Sequence, residues 1–140
     1  MIQKKLDENI NYINDIIPKN YNYIILQVKI DEKDLNKDIR LFNRVKSNDN
    51  FNFERDDIKT IIDNQIVNIK FENNKFFWNF KTTGMHIIKI IFKKKLLQCD
   101  HLISNCDNIY KIDCSNFDCS QIIDCSYIFY YCSSLIEMNL

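Results

Sequence analysis

Six cysteines crowd into the last third of the chain: Cys99, Cys106, Cys114, Cys119, Cys125 and Cys132. Thiolates are strong nucleophiles and soft metal ligands, so their spacing is the first test for chemistry. Structural zinc favours close pairs, typically two to four residues apart. Here successive cysteines are 7, 8, 5, 6 and 7 apart, with no Cys-x-x-Cys. A cysteine nucleophile needs a base and an oxyanion hole. His86 and His101 are the only imidazoles. Cys99 and His101, two apart, would share a face of a strand, but no Gly-rich turn or helix N-terminus lies close by in sequence. Asp56-Asp57 and Asp31-Glu32 stand in no recognisable acid/base or Mg²⁺ context and read as solvated loop charges. The expectation is a chain with no catalytic residue, no metal ligand set and no cofactor. An even cysteine count also permits a disulfide framework, with 15 connectivities for six. Four of the cysteines recur at equivalent positions of a repeat, which favours reading them as small buried hydrophobes. The alternative is a cysteine-based metal or redox-binding protein, with Cys99 stacked over Cys125 and Cys106 over Cys132.

The chain holding these residues is 46% hydrophobic and 13% aromatic, enough apolar surface to offset the entropy of ordering a domain. Its abundant Asn and Lys, the absence of Ala, and the single Gly84 and Pro18 follow the codon drift of an AT-rich genome on a solvated surface. Nineteen basic and nineteen acidic side chains cancel, so no net field recruits nucleic acid or an anionic membrane. The run Lys93, Lys94, Lys95 reads as a solvated strand terminus and aggregation gatekeeper. No window is apolar enough for a membrane span and no signal-peptide pattern opens the chain, so the sequence as given reads as cytoplasmic.

Periodicity supplies the elements. Leu6, Ile10, Ile13 and Ile17 fall at helical spacing, with Lys4, Lys5, Asp7 and Glu8 opposite and Pro18 as a stop, so residues 1–20 read as an N-terminal amphipathic helix. From residue 22 the period becomes 2: Ile24, Leu26, Val28 and Ile30 alternate with Tyr23, Ile25, Gln27 and Lys29. Further strands are expected at Ile39–Phe42, Ile58–Ile62, Ile66–Phe71, Lys75–Lys81 and Met85–Lys93. Asp63-Asn64 and Asn73-Asn74 supply turn chemistry for two hairpins. Phe76, Trp78 and Phe80 share one face and mark a core. Residues 45–57 read as a polar, irregular loop. The fold class expected is mainly β: an antiparallel β-domain (sandwich or open barrel) over 21–95, with the short helix before it and a short leucine-rich-repeat solenoid over 96–140.

The last segment is where the repeat lies. Cys99, Leu102, Cys106, Ile109, Ile112 and Cys114 are answered 26 positions later by Cys125, Ile128, Cys132, Leu135, Met138 and Leu140. Ile109, Ile112, Cys114 and then Leu135, Met138, Leu140 obey Leu-x-x-Leu-x-Leu spacing, the strand of a leucine-rich repeat. Ile87, Ile90 and Phe92 fit the same spacing, so that strand is expected to double as a first rung. Over residues 97–140, and above all Ile112-Asp-Cys-Ser-Asn-Phe-Asp-Cys-Ser through Tyr131-Cys-Ser-Ser-Leu135, the chain resembles the BspA-type leucine-rich-repeat surface proteins. Cys114 stands where that family has Leu, Cys119 where it has Thr, and Cys125 and Ile128 where it has Met. The resemblance implies repeat geometry and a non-enzymatic protein–protein interaction role, in a family whose members are commonly cell-surface adhesion proteins. The x residues of the two rungs, Tyr110, Lys111, Asp113, Ile136, Glu137 and Asn139, are then the candidate binding surface for a protein partner. About two units and an open edge imply a piece of a longer array that self-associates through residues 130–140.

Overall fold

The computed structural model describes residues 22–44, 53–94, 96–118, 120, 122 and 128–139. The expected helix over 4–17, residues 45–52 of the expected loop, and Cys119 and Cys125 lie outside the described residues.

Among the described residues nine strands form two sheets: β1 (Asn22–Ile30), β2 (Asp38–Asn43), β3 (Ile58–Ile62), β4 (Gln65–Val67), β5 (Lys70–Glu72), β6 (Lys75–Asn79), β7 (Gly84–Phe92), β8 (Ile109–Asp113) and β9 (Glu137–Asn139). One sheet has six strands in the order β4-β3-β7-β1-β8-β9; the other has three, β2-β6-β5. Neither closes into a barrel, and every pairing is antiparallel except β8 with β9. Among the described residues no helix is long and apolar enough to cross a membrane.

The alternation in β1 does what its period dictates. Ile24, Leu26, Val28 and Ile30 are buried in the core shared by both sheets, while Tyr23, Ile25 and Gln27 remain partly exposed and Lys29 exposed. Both expected hairpins form. Asp63 and Asn64 have φ of 49° and 69°, and Asn73 and Asn74 have 52° and 63°. Left-handed backbone at both central residues matches a two-residue connection to the natural strand twist, and Asn and Asp tolerate it better than other side chains. The strand expected at Ile66–Phe71 is in fact two. β4 belongs to the larger sheet and β5 to the smaller, and the chain crosses between them at Asn68 and Ile69, with Ile69 buried.

Aromatic rings fill the space between the sheets. Phe76 stacks on Phe42 at 4.3 Å and on Phe71 at 4.5 Å, while Phe92 meets Phe53 edge-on at 5.3 Å and Phe117 at 5.7 Å. Phe80 is buried too, whereas Trp78 is only half-buried at the margin. Phe53 corrects the reading of 45–57 as a polar loop throughout, because its ring is fully buried in this cluster. Phe51 and Phe53, two apolar residues in a polar stretch, are too short a pattern to show which of them is buried.

β7 does not act as the rung before β8. β1 lies between them, antiparallel to both. The reason is local. In a regular strand residues three apart face opposite sides, and in β7 Ile90 is buried while Ile87 is 45% exposed. β8 accommodates the same spacing only through a bulge: the register against β1 slips between Gln27 and Val28, so that Ile109 and Ile112 both turn inward.

Candidate functional site

β8 and β9 pair in parallel with Lys111 opposite Glu137, Ile112 opposite Met138 and Asp113 opposite Asn139. Each pair is 26 residues apart. The connections leading into the two strands match at the same interval. Asn105 and Tyr131 both have left-handed backbone, with φ of 60° and 57°. Ile109 N–H donates to the Cys106 carbonyl, and Leu135 N–H donates to the Cys132 carbonyl. Backbone bonds join the two segments, from Ile103 N–H to the Ile128 carbonyl, Asn105 N–H to the Tyr130 carbonyl and Ile136 N–H to the Tyr110 carbonyl. Ser133 Oγ donates to Asp107 Oδ1 at 3.2 Å, again 26 apart.

Of the six candidate surface residues, the strands bring Lys111, Asp113, Glu137 and Asn139 to one face, because Ile112 between them points into the core. Lys111 Nζ lies 2.8 Å from Glu137 Oε2, and the hydrogen bond and charge of that carboxylate hold the ammonium above the usual lysine range. Asp113 Oδ1 accepts from Ser115 Oγ at 2.6 Å and Ser115 N–H at 2.9 Å. Those two bonds, the hydroxyl's first, hold its carboxyl below the usual range. Tyr110 is the bulge residue and stands apart from these four. It lines a polar groove of about 630 Å³ with Lys29, Asp31, Asp107 and Ser133. Ile136 precedes β9 and is 62% exposed.

The same face continues across the sheet. Asp113 neighbours Ile25, and Lys111 neighbours Gln27; these in turn face Lys89 and Ile87 of β7. Met85 and Ile87 are exposed there. The spacing of charged residues and thiols does not point to these apolar residues. The signal for them was the run Met85-His-Ile-Ile-Lys-Ile-Ile-Phe92, apolar on both strand faces.

The residues first considered for chemistry are otherwise engaged. Cys106 is fully buried with its Sγ donating to the Ser104 carbonyl, and Cys132 Sγ donates to the Ile103 carbonyl at 3.1 Å. Burial, with Cys132 beside it, pushes the Cys106 thiol well above the usual range; burial also raises that of Cys132. Both are free thiols. Cys99 and His101 do not share a strand, since the chain turns from 100 to 105 and His101 takes left-handed backbone, with φ of 60°. This turn is held by Asn43, whose Nδ2 donates to the carbonyls of His101 and Ser104, each at 2.9 Å.

His86 is 7% exposed, with Nδ1 2.5 Å from Asp63 Oδ2, Nε2 2.8 Å from the Thr82 carbonyl and Phe80 packed on its ring. Asp63 Oδ1 also accepts Ile87 N–H. His86 thus fastens the β3–β4 turn to β7 beside a cavity of about 470 Å³ that Trp78 and Gln65 help to line. Asp57 accepts from Glu54 N–H, and Asp34 from Asp31 N–H, each closing a single 3₁₀ turn. Among the described residues no group of three or more His, Cys, Asp or Glu is placed to hold a metal ion. Comparison with protein-family models, curated proteins and solved structures finds no match to this chain.

Proposed function

We propose that this chain is a non-enzymatic protein-binding module of leucine-rich-repeat type. In this reading a sandwich-like β-domain stands at the head of a BspA-like repeat array, and a protein partner docks on the face carrying Lys111, Asp113, Glu137 and Asn139. The observation that carries it is the parallel pairing of β8 with β9 at an offset of 26 residues, the interval at which the sequence repeats. Parallel strands one repeat apart, with matching turns before each, are how a solenoid stacks its units. β1 supports the capping role, because its antiparallel pairing with β8 occupies the edge that a preceding rung would otherwise take. Both signs of charge on the docking face suit a partner of mixed charge rather than a nucleic acid.

Two measurements test this. Carbodiimide treatment should form an amide between Lys111 Nζ and Glu137, detected by peptide mass spectrometry, as the 26-residue register requires. Proteins retained from source-cell extract by the wild-type chain should be lost on the charge-altered variant Asp113→Lys/Asn139→Lys, with circular dichroism unchanged. Absence of the Lys111–Glu137 amide would remove the repeat, and identical retention by wild type and variant would remove the docking face.

A further inference from the structure

The cavity beside His86, of about 470 Å³, is lined from both sheets: by Ile62, Gln65 and Val67 of the larger, and by Asp38, Trp78 and Asn79 of the smaller. That is ample for a small molecule. Its inner wall is apolar, because Ile62 and Phe80 belong to the common core while Val67 and Trp78 pack against it. The charged groups of the lining hold one another. Asp38 pairs with Lys70 at 2.5 Å, Asp63 meets His86 Nδ1 at 2.5 Å, and Lys81 Nζ donates to Asn79 Oδ1 at 2.9 Å. Two carboxylates and two ammonium groups balance, so charge does not select an ionic ligand. Neutral donors and acceptors remain. Gln65 is exposed and its amide bonds no described residue, while Asn68 and Asn79 use Oδ1 toward Arg55 and Lys81, which leaves each Nδ2 to donate. Trp78 is half-buried, yet its indole N–H bonds no described residue either, where an indole N–H taken from water ordinarily finds a partner.

We propose that this cavity binds a neutral sugar, a pyranose ring whose C–H face packs on the apolar wall at Trp78 and whose hydroxyls bond the amides of Gln65, Asn68 and Asn79. The lining argues for that class. A pyranose is uncharged, with an apolar patch of C–H groups on its face and donors and acceptors around its edge, and the cavity divides its own surface the same way. A wholly apolar ligand would take those amides from water without giving them partners. An ionic one would have to break the Asp38–Lys70 pair or the Asp63–His86 pair to find a counter-charge. The site stands apart from the repeat, since β4 ends the larger sheet on the side opposite β9. It therefore holds or fails independently of the proposed docking face.

Trp78 is the chain's only tryptophan, so its emission reports on this site. Titration of the full chain with the methyl glycosides of glucose, galactose, mannose and N-acetylglucosamine should give a saturable change with at least one of them below about 50 mM. Gln65→Ala removes an exposed amide and should weaken that binding about two- to tenfold, the loss of one neutral hydrogen bond, with circular dichroism unchanged. In the wild-type chain, saturation-transfer NMR should mark the ring C–H protons of the same glycoside, which decides the matter even if the variant fails to fold. The proposal is overturned if no glycoside gives a saturable change, or if a folded Gln65→Ala variant keeps the wild-type affinity. It is equally overturned if cyclohexylmethanol, which offers an apolar face without the ring of hydroxyls, binds as tightly. Saturation transfer with no change in Trp78 emission would place the sugar elsewhere and overturn it too.

Discussion

Cys106 shows how position decides the chemistry of a side chain. Its sulfur is sealed in the core beside Cys132, 26 residues along the chain, and its proton is held more tightly in the folded chain than in the unfolded one. A thiol whose pKa is raised on folding contributes stability that is whole below the ordinary thiol range and is lost as pH rises above it. The slope reaches about 1.4 kcal/mol per pH unit for one group. The urea midpoint should therefore fall between about pH 8 and about pH 10, and Cys106→Ala should flatten that fall whatever its own starting stability. A wild-type profile that does not decline over this range would contradict the assignment. The reading of Cys106 as a small hydrophobe was available from its recurrence beside Leu102 and Ile109. Its pairing with a second thiol depended on the register. Phe53 and Asn43 were not legible at all, because their partners lie far along the chain: Phe92 for the ring, and the carbonyls of His101 and Ser104 for the amide.

Strands were legible where one face alone is buried. β1 and β3 announce themselves by alternation, and the two hairpin turns by their paired Asn and Asp. What alternation cannot express is a change of sheet or a bulge. The apolar run from Ile66 to Phe71 contains a crossing at Ile69, and the Leu-x-x-Leu spacing suits β8 because one extra residue is extruded at Tyr110. β9 carries a consequence of its own. It ends the sheet order, so among the described residues its outer edge has no strand beside it, and exposed Ile136 and Met138 accompany it. Such an edge is a template for another strand. Ile136 N–H bonds to β8, so alternation aims the Glu137 N–H at the open side. Sedimentation equilibrium should show concentration-dependent association of the wild-type chain. Glu137→Pro, tolerated on an edge strand, should weaken it while leaving the far-UV spectrum intact. A monomeric wild type would contradict this.

At the scale of the molecule, the residues around the repeat and those of the β-domain share one core. Leu102, Ile103, Cys106 and Ile109 are buried in the same cluster as Phe42, Phe76 and Ile88. Truncating Leu102 to Ala should therefore cost about 2–5 kcal/mol. The loss should register equally in circular dichroism and in the fluorescence of Trp78, which sits in the other sheet. Two separate transitions would show that the segments unfold independently. The general class, mainly β with antiparallel sheets, could be read from periodicity. Strand order could not, because nothing in the local pattern of β1 says that its partners are β7 and β8, more than fifty residues away.

That placement of β1 has a consequence for how the protein is made. During synthesis it leaves the ribosome before the other described strands, with a row of four buried-type side chains and two bare backbone edges. The β3–β4 and β5–β6 hairpins close among themselves as they emerge. β1 can satisfy its first edge only when Gly84–Phe92 has been translated and its second only after Ile109–Asp113. Of the described strands, the first to emerge is thus the one that waits longest for its partners, and the many polar residues between Arg44 and Asp57, with Phe53 the exception bound for the core, help keep the growing chain dispersed while it waits.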